Sequence, residues 1–179
     1  MGCSVPANYP NYEAAMLRVA KAFDMELEYM EDVACCGSPN LRAFDYFGWL
    51  VVNARTIAIG EKNGNDIVTP CNGCFGSLKD VLYHLKHDDE MRKEVNDELK
   101  EEGLELKGTI KVRHFVEALY TDIGIDAIRA KVTNPLDGAE IAIHYGCHLL
   151  RPEDVTEFNP EVLKELIRVT GAKVTEYPL

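Results

Sequence analysis

The sequence predicts an α/β protein: an open, mostly parallel sheet flanked by helices, followed by the start of a second, homologous α/β repeat. Three observations predict it. Hydrophobic periodicity alternates between the three-and-four spacing of helices and the two-residue spacing of strands. Cysteines fall where the predicted strands give way to loops or helices. The pattern that follows Gly2-Cys3, a proline-containing loop, a helix and a strand, returns after Gly146-Cys147 at an offset of 144 residues.

Taken in order, Tyr12 to Phe23 reads as a helix with Ala15, Val19 and Ala22 among its apolar positions. Met25 to Met30 alternates polar and apolar residues and is expected to be a strand. A loop with Cys35-Cys36-Gly37-Ser38-Pro39-Asn40 follows. From Leu41 to Lys62 the residues Phe44, Phe47, Leu50, Val51, Ala54, Ile57 and Ala58 recur at helical spacing, and Asn63-Gly64 closes the helix. Trp49 belongs to its core face. Asp66 to Pro70 is a short apolar strand, and Cys71-Asn72-Gly73-Cys74 opens the next helix.

The stretch from Asp88 to Glu102 is strongly charged around Met91, Val95 and Leu99, the pattern of a solvated helix with one apolar stripe. Helices over His114 to Asp122 and Ile125 to Val132 complete the first unit. Asn134-Pro135-Leu136-Asp137-Gly138 reads as a linker, which divides the chain into 1–138 and 139–179. The second unit begins with a strand over Ala139 to Tyr145, a helix over Glu161 to Thr170 and a strand over Lys173 to Tyr177.

The 179 residues are 46% hydrophobic and 27% charged, an ordinary globular composition. The net charge of -11 opposes phosphate backbones and anionic lipid, and no basic cluster offsets it, so nucleic acid is excluded as a partner. No leader segment follows Met1, and the longest apolar run, Phe47 to Ile59, is broken by Asn53 and Arg55. A cytoplasmic protein without membrane insertion is expected. Six cysteines in that compartment point to metal or redox chemistry rather than structural disulfides.

The first five cysteines follow the pattern C-x31-C-C-x34-C-x2-C. If the strands before Cys3, Cys35 and Cys71 are parallel, their ligand loops emerge at one sheet edge, where open α/β folds place their sites. Five thiolates exceed the tetrahedral demand of one zinc ion and suit iron, whose clusters sulfur bridges. Adjacent Cys35 and Cys36 can serve different irons of a larger cluster. Two other readings remain open: a zinc-bound structural or interaction domain, and thiol-disulfide exchange through Cys71 and Cys74 in a thioredoxin-like strand-turn-helix setting.

The same spacing resembles the cysteine-rich, or CCG, domain of the B-type subunit of heterodisulfide reductase and its relatives. The segments from Ile67 to Leu78, from Ile143 to Pro152 and from Lys111 to His114 carry the resemblance to the B type specifically. It implies an oxidoreductase subunit that reduces a disulfide, such as the coenzyme M-coenzyme B heterodisulfide of methanogenesis, at noncubane 4Fe-4S clusters. Cys3, Cys35, Cys36, Cys71 and Cys74 would hold the first cluster, with no catalytic residue beyond the cluster itself. Cys147 would open an incomplete second site. The implied partners are a flavin-bearing A-type subunit and an iron-sulfur C-type subunit, with zinc as a substitute metal.

Two departures from the family pattern accompany it. Only Met1 and Gly2 precede Cys3, and a partner for Cys147 equivalent to Cys35 would fall at or beyond position 179. The chain is therefore expected to be an N-terminal portion truncated before the second motif, a fragment without activity of its own and able to form a homodimer. His144 and His148 are expected to be structural, Arg151 an exposed loop residue, and Gly37, Gly73 and Gly146 the points where backbone approaches the site.

Overall fold

The structure, a computed structural model, describes residues 4–30 and 32–176. Cys3 lies outside the described residues. The chain runs α1 (Ser4–Asn8), α2 (Pro10–Ala22), α3 (Asn40–Phe44), α4 (Tyr46–Asn63), β1 (Ile67–Thr69), α5 (Asn72–His87) and α6 (Asp89–Leu99), then a 3-10 turn at Lys100–Glu102. β2 (Val112–His114), α7 (Phe115–Ala118), a π turn at Leu119–Ile123 and α8 (Ile125–Ala130) follow. The last part holds β3 (Glu140–Ala142), α9 (Cys147–Leu150), α10 (Glu153–Thr156), α11 (Glu161–Val169) and β4 (Lys173–Thr175).

This architecture corrects the expected open sheet. The protein is predominantly α-helical, and among the described residues its strands form two separate parallel pairs, β1 with β2 and β3 with β4, each three residues long. Met25 to Met30 enters no ladder, and Glu26, Leu27, Glu28 and Tyr29 are exposed. Alternation marks which residues could face a core, whereas a strand also needs a neighbour at ladder distance. β1 ends where Cys71 becomes the capping residue of α5. In β3 and β4 the outer residues are exposed, so neither strand is a buried core element.

The helices follow the periodicity more closely, with one break. The run from Leu41 to Lys62 divides at Asp45, which is extended and accepts a hydrogen bond from the Gly48 N–H at 2.9 Å, capping α4. Gly64, at a φ of 72°, ends that helix in the left-handed conformation. Asp88 caps α6 by accepting from the Met91 N–H at 2.9 Å, and Val95 and Leu99 bury its single stripe.

The main core lies between α4 and α5, where Trp49, Leu50, Ile57, Phe75, Val81 and Leu85 are buried. Ile67 of β1 packs into this cluster. A smaller cluster of Met16, Ala20 and Phe115 receives Val68 on the opposite face of the strand. The register Ile67 to Val112, Val68 to Arg113 and Thr69 to His114 sets the end of β2 beside the chain leading into Cys71. Among the described residues no helix is long and apolar enough to cross a membrane.

Candidate thiol site

Three of the predicted cysteines meet at the start of α5. β1 delivers the chain through Pro70 to Cys71, whose N–H donates to the Thr69 hydroxyl at 3.2 Å. Cys71 is the N-cap residue, and its carbonyl accepts from the Phe75 N–H at 2.9 Å. Cys74 lies one turn further on and is buried. From the other side, the loop before α3 brings in Cys36. Asn53, buried on α4, donates through Nδ2 to the Cys36 carbonyl at 3.0 Å and to the Trp49 carbonyl at 2.8 Å.

The Cys36 loop is closed tightly. Gly37 has a φ of 70°, and a Cβ there would lie 2.6 Å from the Leu41 Cβ, so only glycine fits. Its carbonyl accepts from the Leu41 N–H at 2.7 Å. Arg42 then ties α3 to α5 through a 2.6 Å ion pair with buried Asp80, while its guanidinium lies 4.8 Å from the Trp49 ring centre. Tyr46 stacks on Trp49 at 5.6 Å.

Hydrogen bonding makes the three thiols unequal. The Cys74 thiol bonds to both Cys36 and Cys71; these bonds and burial push its own pKa up. Cys71 is pulled down to about 5, first by its bond with Cys74 and then by the backbone N–H groups of Cys74 and Gly73 at the helix start. Cys36 is pulled down to about 6 by Cys74, the Ser38 backbone and the Ser77 side chain, against the opposing effect of burial. The hydrogen bonds thus favour the proton on Cys74 and lower the pKa of the thiols on either side.

Cys35 and Cys147 differ from this trio. Cys35 is exposed, with the Gly37 N–H donating to its sulfur at 3.5 Å. Cys147 is exposed at the start of α9. Its loop nevertheless docks on α5: Asn72 donates to the Tyr145 carbonyl at 2.9 Å, and Gly146, at a φ of 75°, presents its open side to the Asn72 amide. A Cβ on Gly76 would lie 2.7 Å from the His148 carbonyl oxygen, so α5 and α9 touch through backbone. Gly37 and Gly146 thus have the conformations expected of them. Gly73 brings its backbone N–H to the Cys71 sulfur, and a further close approach is at Gly76.

Buried His114 sits below the site between Phe75 and Phe158, with ring centres 5.7 and 6.3 Å away. Burial drives its pKa down to about 4, so the imidazole is neutral. Asn53, Ser77, Asp80 and Gly76 were not legible as site residues. Asn53 was visible only as a polar interruption of an apolar helix, and Gly76 only as a glycine inside one.

The residues present suit a soft metal in their chemistry, since they combine sulfur donors of low pKa with free N–H groups at a helix start. In position they are incomplete: Cys36, Cys71 and Cys74 are linked by hydrogen bonds, yet among the described residues no group of three His, Cys, Asp or Glu side chains is placed to hold a metal ion.

Comparison with known proteins adds the family. The model of the cysteine-rich domain, CCG, matches residues 1–79 and 141–178. The expected truncation before the second motif is thereby overturned, because the second match lies within the chain and contains Cys147. The chain is 39% identical over 98% of its length to the B-type subunit of the ferredoxin/F420H2-dependent CoB-CoM heterodisulfide reductase of Methanosarcina acetivorans, covering 60% of that protein. It is 34% identical over 99% of its length to a protein of Archaeoglobus profundus described as like the heterodisulfide reductase B-type subunit, covering 62% of it. The chain thus spans about three fifths of the length of these relatives. A crystal structure of a hypothetical protein from Helicobacter pylori shares the fold at a TM-score of 0.67 and 14% identity, over 92% of this chain and 30% of that one.

Proposed function

We propose a function from the premise that this chain belongs to the cysteine-rich CCG domain family, where its relatives are subunits of the heterodisulfide reductase B type. It acts as an iron-sulfur electron-transfer and catalytic subunit in the reduction of a disulfide. The coenzyme M-coenzyme B heterodisulfide is the substrate class its relatives' names suggest. Two electrons and two protons turn one disulfide into two thiols. The electrons come through A-type flavin and C-type iron-sulfur partner subunits.

Cys3, Cys35, Cys36, Cys71 and Cys74 would hold a noncubane 4Fe-4S cluster, which supplies the electrons when bound. Cys147 would serve the second family match. The division of the chain near residue 138 is part of the same reading. The observation that carries it is the hydrogen bonding of Cys36 and Cys71, from two separate loops, to Cys74, which lowers the pKa of both flanking thiols. Asn53 orients the Cys36 loop, and the N–H groups of Gly73 and Cys74 hold negative charge at Cys71.

Purification without oxygen, followed by measurement of iron, acid-labile sulfide, zinc and the visible spectrum, tests the proposal. About four irons with matching sulfide are expected. Near-stoichiometric zinc in a colourless protein would establish the zinc-bound structural domain instead. A metal-free protein would favour thiol-disulfide exchange, a reading to which the low pKa of Cys71 beside the raised pKa of Cys74 lends specific support.

A further inference from the structure

The segment from Cys36 to Arg42 meets α5 at two points with matching spacing. Cys36 and Arg42 are six residues apart, and so are Cys74 and Asp80 on α5. Cys36 hydrogen-bonds to Cys74 at one point, and at the other Arg42 Nη1 lies 2.6 Å from Asp80 Oδ2. Two further bonds hold the same segment but run elsewhere. The Leu41 N–H donates to the Gly37 carbonyl inside the segment, and Asn53 reaches the Cys36 carbonyl from α4. Neither of these two fixes the segment against α5.

The Asp80 side chain is 5% exposed and that of Arg42 41%. A carboxylate withdrawn from water is costly unless an opposite charge meets it. Arg42 meets Oδ2, and His84 Nε2, one turn further along α5, lies 3.1 Å from Oδ1. Aromatic rings of α4 wall the pair: the guanidinium lies over Trp49, while Tyr46 stacks on Trp49 and meets His84 edge-on at 6.4 Å. Apolar side chains of similar size would fill the same contact without the desolvation cost, but they could slide along α5. An ion pair with one buried member has a single place to sit, so it fixes register. α3 has five residues, too few to hold a helix alone, and depends on such a tie.

We propose that Asp80 is a positioning residue of the thiol site: through Arg42 it docks α3 on α5 and thereby sets Cys36 against Cys74. This inference rests on the thiol contact in the function proposed above and not on which metal the thiols hold. Without the pair, α3 frays together with the Cys36 loop, while the α4–α5 core stays in place.

The test uses the full chain, reduced and metal-free, and dibromobimane, a short reagent that joins two neighbouring thiols by losing one bromide to each. Peptide mapping by mass spectrometry gives the ratio of Cys36–Cys74 to Cys71–Cys74 bridges. Both bridges share Cys74, so a general loss of stability lowers them together and leaves the ratio. Arg42→Gln is expected to lower the ratio several-fold and to speed amide hydrogen exchange at Leu41 about tenfold, with exchange at buried Ile57 unchanged. Arg42→Lys, which keeps the charge, is expected to hold the ratio near that of the unaltered chain. Asp80→Asn should match Arg42→Gln; if it does not fold, the two Arg42 variants decide the matter.

An unchanged ratio in Arg42→Gln overturns the proposal. Equal loss in Arg42→Lys and Arg42→Gln does so too, as does equal acceleration at Leu41 and Ile57, which would make the pair a contributor to overall stability alone. A chain that forms no Cys36–Cys74 bridge overturns the thiol contact of the proposed function as well, whereas a bridge that forms and ignores these variants overturns this inference only.

Discussion

Two helix starts within the residues that the family model matches, one at Cys71 and one at Cys147, differ in their surroundings. Around Cys71 and Cys74 the backbone is capped, the thiols share protons and the neighbouring side chains are buried. Around Cys147 the same junction of extended chain and helix start leaves the sulfur exposed, on a helix of four residues. A cysteine at a helix start is therefore not enough to make a tuned thiol. The difference lies in what arrives from elsewhere, since Cys36, Ser77 and Asn53 surround the first region.

Removing the shared proton should break the contrast most strongly. In the metal-free protein, Cys74→Ala takes away the hydrogen bond that does most to lower the pKa of both Cys36 and Cys71, so their values return towards that of an ordinary thiol. Near pH 7 the thiolate fraction, and with it the rate of iodoacetamide alkylation, should fall roughly 30-fold. Cys147→Ala should leave those rates unchanged. Equal loss in both variants would show that the two regions are coupled.

A second effect concerns the floor of the first region. His114 has a folded pKa of about 4, below its unfolded value, so the unfolded chain takes up the proton first. Its contribution to stability is present above about pH 6.5 and falls as the pH drops, by about 3 kcal/mol at pH 4. Urea unfolding of the protein and of His114→Gln across this range should give curves whose separation changes by that amount. Parallel curves would mean that the imidazole is hydrated in the folded state.

The smallest effect sharpens the comparison at the contact between the regions. Gly76→Ala places a Cβ against the His148 carbonyl, and α9 must shift to admit it, at a cost of about 1–3 kcal/mol. Cys147→Ser, on the exposed side of the same contact, should stay within about 0.5 kcal/mol. The urea midpoint separates the two variants.

Helix positions were largely legible from periodicity, as α2, α5, α6 and α11 lie close to their expected spans. The division at Asp45 was not, because an extended capping residue leaves the apolar spacing on either side undisturbed. Strands were legible in part, since β1, β3 and β4 lie within their expected spans. Met25 to Met30 has the alternation of a strand and no ladder, whereas Val112 to His114, too short to show a period of its own, pairs with β1. The convergence of Cys36, Cys71 and Cys74 was expected on the assumption of parallel strands, yet among the described residues Cys36 is not preceded by a strand as Cys71 is. A loop closed by Gly37 and held by Asn53 brings Cys36 to the same place.

By itself the sequence determined the cysteine spacing, the acidic charge and the apolar faces of the main helices, because these depend on residue identity and on neighbours three or four positions away. Tertiary structure decided which thiol keeps the proton, where a strand finds its partner and which glycine admits a second helix. These outcomes depend on distances between groups remote in sequence: hydrogen bonds and steric contacts change over fractions of an ångström, which local periodicity does not encode.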